Sequence, residues 1–230
     1  MWKCRGRRWG RNIMLKLIRD FNDTEIETAI KNAKDGIDTY NNIMEQFSST
    51  DVSKDNSFKE TYKIFYGMHR FCSDEFIDVY FNYLQKNKNS NPKPTFTDTL
   101  KYFYETGKRR KNGKLVYEFS FVSKLLATLD PDLPVWDQNV LSKFGKKNPV
   151  NYLPKAKRKN ETTEERNKRE EKAKTRRIEK AEKLYNELVE WYNKHLSSKD
   201  GNKWKNFFDE EYPNSNITST KKIDFILWQL

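Results

Sequence analysis

From Ile26 onward apolar side chains recur at steps of three and four. Ile26, Ile30, Ala33, Ile37, Tyr40, Met44 and Phe47 share one face, which predicts a single long amphipathic helix opened by a capping box of Thr24 with Glu27. A polar stretch then gives way to Phe58, Tyr62 and Phe65, a shorter helix. Ser73 is placed to cap a third, with Phe76, Ile77, Tyr80, Tyr83 and Leu84 on its inner side. Residues 89–94, NSNPKP, break the pattern. Thr97 opens another helix through Leu100, Phe103 and Tyr104, ended by Gly107. Glu118 to Leu129 reads as a helix with an almost wholly apolar middle. After the Pro-bounded PDLP segment, Asp137 restarts the chain as the N-cap of a short helix closed by Gly145.

Residues 155–183 change character. They carry thirteen Lys or Arg against seven Glu, and the excess of six is half of the chain's net charge of +12. Apolar residues return only from Ile178, through Ala181, Tyr185, Leu188 and Tyr192. The stretch therefore reads as a helix docked by its C-terminal half, with a front half that is a solvated helix or a strap. Thr218 or Ser219 caps a terminal helix carrying Ile223, Ile226, Leu227 and Leu230. Alternating strand patterns are missing, so the predicted fold is all-α. It divides into a basic N-terminal arm (1–22), a helical core with the candidate active-site segment (23–154), and a charged long helix with a terminal helix packing back on the core (155–230), all one globular unit.

Composition sharpens this picture. Charged residues, at 34%, nearly equal hydrophobic ones, at 35%, a balance that approaches disordered chains. Six Trp, twelve Tyr and fifteen Phe argue instead for a core built on rings. The positive charge suits a polyanion, with nucleic acid the first candidate and a lysine-rich soluble surface the alternative. Two cysteines, Cys4 and Cys72, and two histidines, His69 and His195, form neither a disulfide framework nor metal-ligand spacing. No metal or cofactor is expected. The basic opening lacks an uninterrupted apolar stretch and a cleavage signal, which points to a soluble cytoplasmic protein.

Candidate chemistry concentrates in 119–144, FSFVSKLLATLDPDLPVWDQNVLSKF. A carboxylate at a helix start, Asp137, is stabilised in its ionised form by the free N–H groups there. Read from the residues alone it is either a cap or a functional anion. The order of helix, Pro-bearing loop, Pro134-Val135-Trp136-Asp137 and following helix resembles the helix-hairpin-helix DNA glycosylase superfamily. Phe121, Ser123, Lys124, Leu125 and Leu126 resemble the Phe-x-Ser/Thr-Lys-Leu-Leu helix of bacterial proteins related to the 8-oxoguanine DNA glycosylase fold. The terminal KKIDFILWQL is similar to the ends of a family of bacterial proteins.

The resemblance implies a catalytic role for Asp137, stabilising oxocarbenium character on the deoxyribose and orienting water once a modified base of double-stranded DNA has been flipped out. Lys124 is the second catalytic candidate. In members that form a Schiff base, the lysine occupies the place held here by Glu118, so the implied activity is monofunctional hydrolysis, serving repair or defence against foreign DNA. The backbone-gripping glycine hairpin is replaced by Lys114, Leu115 and Val116. Phosphate contact then falls to Lys108, Arg109, Arg110, Lys111 and Lys114 before the aspartate, and to Lys143, Lys146 and Lys147 after it, one positive rim or two unrelated loops. Gln138 and Asn139 are candidates for contacts to base or backbone. Trp136 is either a wall of the base pocket or a core anchor. The alternatives are a non-catalytic nucleic-acid-binding helical module and an all-α protein whose 155–183 segment meets an acidic partner.

Overall fold

A computed structural model describes residues 15–106, 116–148 and 161–230. Every regular element among them is helical: α1 (Asp23–Asn32), α2 (Lys34–Ser49), α3 (Asn56–Phe65), α4 (Asp74–Asn87), α5 (Phe96–Glu105), α6 (Phe119–Leu129), α7 (Gln138–Ser142), α8 (Thr163–Leu196), α9 (Lys199–Glu211) and α10 (Ser219–Gln229). Among the described residues no helix is long and apolar enough to cross a membrane.

Most helix starts follow from side-chain caps. Ser73, Asp137 and Thr218 accept hydrogen bonds from Phe76, Asn139 and Lys221 backbone N–H groups, as expected of these residues. Two starts lie two residues earlier than expected. Asn22 forms the capping box with Glu25 in place of Thr24 with Glu27, and Thr95 caps α5 while Thr97 lies within it. The long first helix is two helices. At Ala33 the backbone leaves the helical ladder for φ −80°, ψ −8°, and the apolar face continues through the break because Ile37, Tyr40 and Ile43 remain buried beyond it.

Helix α8 resolves the charged segment. Thr162 and Glu165 form a capping box, and the front turns are exposed or half-buried, laced by Arg166 with Glu170 one turn on at 2.8 Å and by Arg169 with Glu161 at 2.6 Å. Burial begins at Ile178 and continues through Ala181, Tyr185, Leu188 and Tyr192.

Helix α9 is unforeseen. Gly201 in its first turn reads as a breaker, yet a Cβ there would stand 1.8 Å from the His195 carbonyl oxygen. Only glycine lets α9 fold so closely against the end of α8. The same corner holds His195 flat on Trp191 at 4.5 Å and edge-on to Trp204 at 4.7 Å. Its Nε2 is buried without a hydrogen-bond partner. Burial depresses the imidazole to about 4, against a weaker upward pull from Asp200. A depressed folded-state value means that the unfolded chain takes up the proton first as pH falls. Stability is therefore full above about pH 6.5 and declines towards pH 4, by roughly 1–2 kcal/mol at pH 5 after allowing for partial exposure. His195→Phe is expected to flatten that acid limb in urea titrations at pH 7 and 5.

Two apolar clusters fill the molecule. One gathers α3 to α6 with the end of α2 and the middle of α8; the other gathers α1, α9 and α10 with the C-terminal part of α8. Met44, Phe65 and Leu184 pack against both. The loop before α7 and α7 itself lie on the seam, since Trp136 and Leu141 belong to the first cluster and Val140 and Phe144 to the second.

Candidate active site

Helix α6 is the platform. Its apolar residues bury it so completely that Ser123 and Lys124 are buried with them. A polar group in such a place must find partners. Ser123 finds the loop: its hydroxyl accepts from the Trp136 N–H at 2.9 Å and donates to the Ser120 carbonyl at 2.9 Å.

The next residue in α6 meets the next residue in the loop. Lys124 Nζ stands 3.4 Å from Asp137 Oδ2 and donates to the Tyr66 carbonyl at 3.3 Å, with the rings of Tyr66 and Phe121 at 5.5 and 5.4 Å. The ammonium is the inner partner, its side chain 10% exposed against 20% for the aspartate. Burial pulls Lys124 below the usual lysine range, and Asp137 opposes that pull through its charge and hydrogen bond. The other carboxylate oxygen, Oδ1, accepts from the Asn139 N–H at 2.9 Å. Asp137 is thus both a cap and a partly exposed anion backed by a buried cation. The two catalytic candidates are brought together.

The loop leading to Asp137 is held from several helices. Thr218 Oγ1 donates to the Pro131 carbonyl at 2.7 Å, and Tyr185 Oη donates to the Pro134 carbonyl at 3.2 Å. The Val135 N–H points to Asp224, with its oxygens at 3.2 and 3.4 Å. Residues from α6, α8 and α10 therefore place a segment that has no regular structure of its own.

Trp136 is fully buried. Its ring sits in a stack of near-parallel rings: Tyr104, Tyr117, Phe119, Trp136, Phe96 and Tyr185, with successive centroids 4.4, 5.7, 5.5, 5.9 and 4.3 Å apart. The indole N–H is taken by Asn148. Of its two expected roles, this geometry is that of the core anchor.

Beyond Asp137, α7 ends in a turn with Gly145 at φ +62° and the Lys146 N–H reaching back to the Leu141 carbonyl at 3.0 Å, the glycine-dependent closure expected from sequence. Gln138 fastens this turn, donating to the Lys146 carbonyl at 3.4 Å and accepting from the Asn148 N–H at 3.1 Å. Asn139 is exposed, and its N–H serves Asp137. Lys143, Lys146 and Lys147 are partly or fully exposed past the helix end. Ile18 meets the start of this segment, its N–H donating to the Lys143 carbonyl at 2.8 Å. Partial burial and the nearby Arg19 charge lower the Lys143 ammonium from its usual range. Lys108, Arg109, Arg110, Lys111 and Lys114 fall outside the described residues, as does Leu115; of the place where the glycine hairpin would be sought, Val116 alone is described, and it is buried.

Sequence reasoning missed Asp224 and the carbonyl of Tyr66. The first had a signal, a single carboxylate inside the apolar run IDFILWQL of the terminal helix. The second, a main-chain group, had none. No protein-family model matches this chain, and no curated protein or solved structure matches it.

Proposed function

We propose that the chain is a monofunctional DNA N-glycosylase that flips out a modified base and hydrolyses its bond to the sugar. The observation that carries this reading is the Asp137–Lys124 pair: a carboxylate fixed through both oxygens, open to solvent on one side and backed by a buried ammonium. Cleavage of an N-glycosidic bond builds positive charge on the sugar, and a carboxylate already oriented before substrate arrives stabilises that charge without reorganising. Lys124 holds the carboxylate in place through its ion pair at 3.4 Å; lying beneath it, the lysine acts through Asp137. Lys143, Lys146 and Lys147, together with 108–114, would meet phosphates, which position the duplex without reading its sequence.

The test is release of free base from duplexes carrying a panel of modified bases, with DNA binding measured alongside. Release by the wild-type chain, lost in Asp137→Asn while binding persists, supports the reading. Binding without release by the wild-type chain assigns a nucleic-acid-binding module instead, and an absence of salt-dependent binding excludes both. Borohydride treatment is expected to trap no enzyme–DNA adduct; an adduct at Lys124 would assign lyase chemistry.

Each lysine of the rim has its own signature. Replacing Lys143, Lys146 or Lys147 by alanine is expected to reduce the slope of log affinity against log salt by about one, whatever the sequence of the duplex. Titrations between low and moderate salt measure this directly. An unchanged slope removes that lysine from the phosphate surface.

A further inference from the structure

We propose that Asp224 is a positioning residue for Asp137, acting through the Val135 main-chain N–H. The inference rests on the reading of Asp137 as the functional carboxylate. Helix α10 is otherwise a core helix, with Ile223, Phe225, Ile226 and Leu227 buried. Within it, Lys221 and Asp224 form an ion pair at 2.9 Å with side chains 5% and 7% exposed. Burying two charges to fill a core is poor design by stability alone, since apolar residues of similar volume serve as well or better. The pair is explained by what the carboxylate holds. Its Oδ1 accepts from Tyr192 Oη at 2.5 Å, and both oxygens lie within hydrogen-bond reach of the Val135 N–H.

That N–H belongs to a buried loop residue with no helix or sheet ladder to satisfy it. The next N–H, of Trp136, is taken by Ser123. Two consecutive amides immediately before Asp137 are thus anchored on buried side chains of two different helices. The direction in which the chain enters Asp137 is set by α10 from one side and α6 from the other. Asp224 supplies the α10 half, and Lys221 pairs with it at 2.9 Å. Tyr192 orients it.

Two double variants separate this role from general stability. Asp224→Asn with Lys221→Met removes both charges but keeps an acceptor for Val135 and Tyr192. Asp224→Leu with Lys221→Met removes the acceptor as well. Hydrogen exchange at the Asn139 amide, which donates to Asp137, reports where the carboxylate sits. It is expected to rise about tenfold or more in the leucine variant and to stay within about threefold of wild type in the asparagine variant, with the amides of α4 unchanged in both. Base release should fall by up to about 10²-fold in the leucine variant at unchanged DNA affinity, the cost of a small misplacement of a reacting group.

Equal exchange at Asn139 in the two variants overturns the proposal and leaves Asp224 a stabilising residue only. If the leucine variant does not fold, an amide-to-ester replacement at Val135 deletes the donor, with Tyr185→Phe as the control for the weakened Pro134 carbonyl that Tyr185 bonds; the ester must raise Asn139 exchange beyond that control, and no such rise overturns the proposal. If wild type itself releases no base, the glycosylase reading fails, while the exchange measurement still decides the role of Asp224.

Discussion

Asparagine at position 137 is expected to lower base release by about 10²–10³-fold, the range for removing one preorganised electrostatic partner of a transition state. The substitution is nearly isosteric. Its side-chain oxygen can still accept from the Asn139 N–H, as the aspartate does at 2.9 Å, so the start of α7 persists. What disappears is the charge. Lys124 loses its counter-ion in a buried site, and because burial already draws its proton affinity down, it can shed the proton and limit the loss of stability. DNA binding should hold or tighten slightly, since a negative charge has left a positive surface. Pairing Asp137→Asn with Lys124→Met removes the stranded ammonium and is expected to recover stability without recovering base release. Single-turnover release measured with denaturant titrations of the same proteins separates the two effects.

Trp136→Ala is expected to cost about 3–5 kcal/mol, the usual range for deleting a large buried ring. The side chain is fully buried, lies between Phe96 and Phe119 in the ring stack, and binds Asn148 through its N–H. Removing it opens a gap in the middle of that stack, next to the residue whose placement the site requires. Trp136→Phe keeps a ring in the gap and should cost much less. Urea unfolding followed by far-ultraviolet circular dichroism gives both numbers. A near-neutral Trp136→Ala with altered base selectivity would instead make the indole a wall of the base pocket.

What the sequence made legible was local. Periodicity and caps place α3, α4, α6, α7 and α10 because each signal lies within a few residues of the helix it marks. The break at Ala33 was invisible because an ordinary residue carries it and the apolar face runs on. Helix α9 was hidden because Gly201 reads as a breaker until the carbonyl of His195 is seen against it. At the site, Asp137 and Lys124 were legible as separate candidates. Their pairing was not, nor was the grip of Ser123 on Trp136 or of Asp224 on Val135. These contacts join residues 13 and 89 positions apart, and spacing along the chain does not encode which buried polar group will meet which loop amide. Residues 108–114 lie outside the described residues, and for them only the sequence reading stands.

Whether the Asp137 carboxylate stands where a positively charged sugar would form can be tested without knowing the base. A duplex containing a pyrrolidine abasic nucleotide, cationic at neutral pH, is compared with one containing the neutral tetrahydrofuran analogue. Transition-state analogues bind their enzymes about 10²-fold or more tighter than substrates do. The wild-type chain should prefer the cationic duplex by at least about tenfold, and Asp137→Asn should abolish that preference while affinity for the neutral duplex holds or tightens slightly. Equal affinity of the wild-type chain for the two duplexes would contradict it.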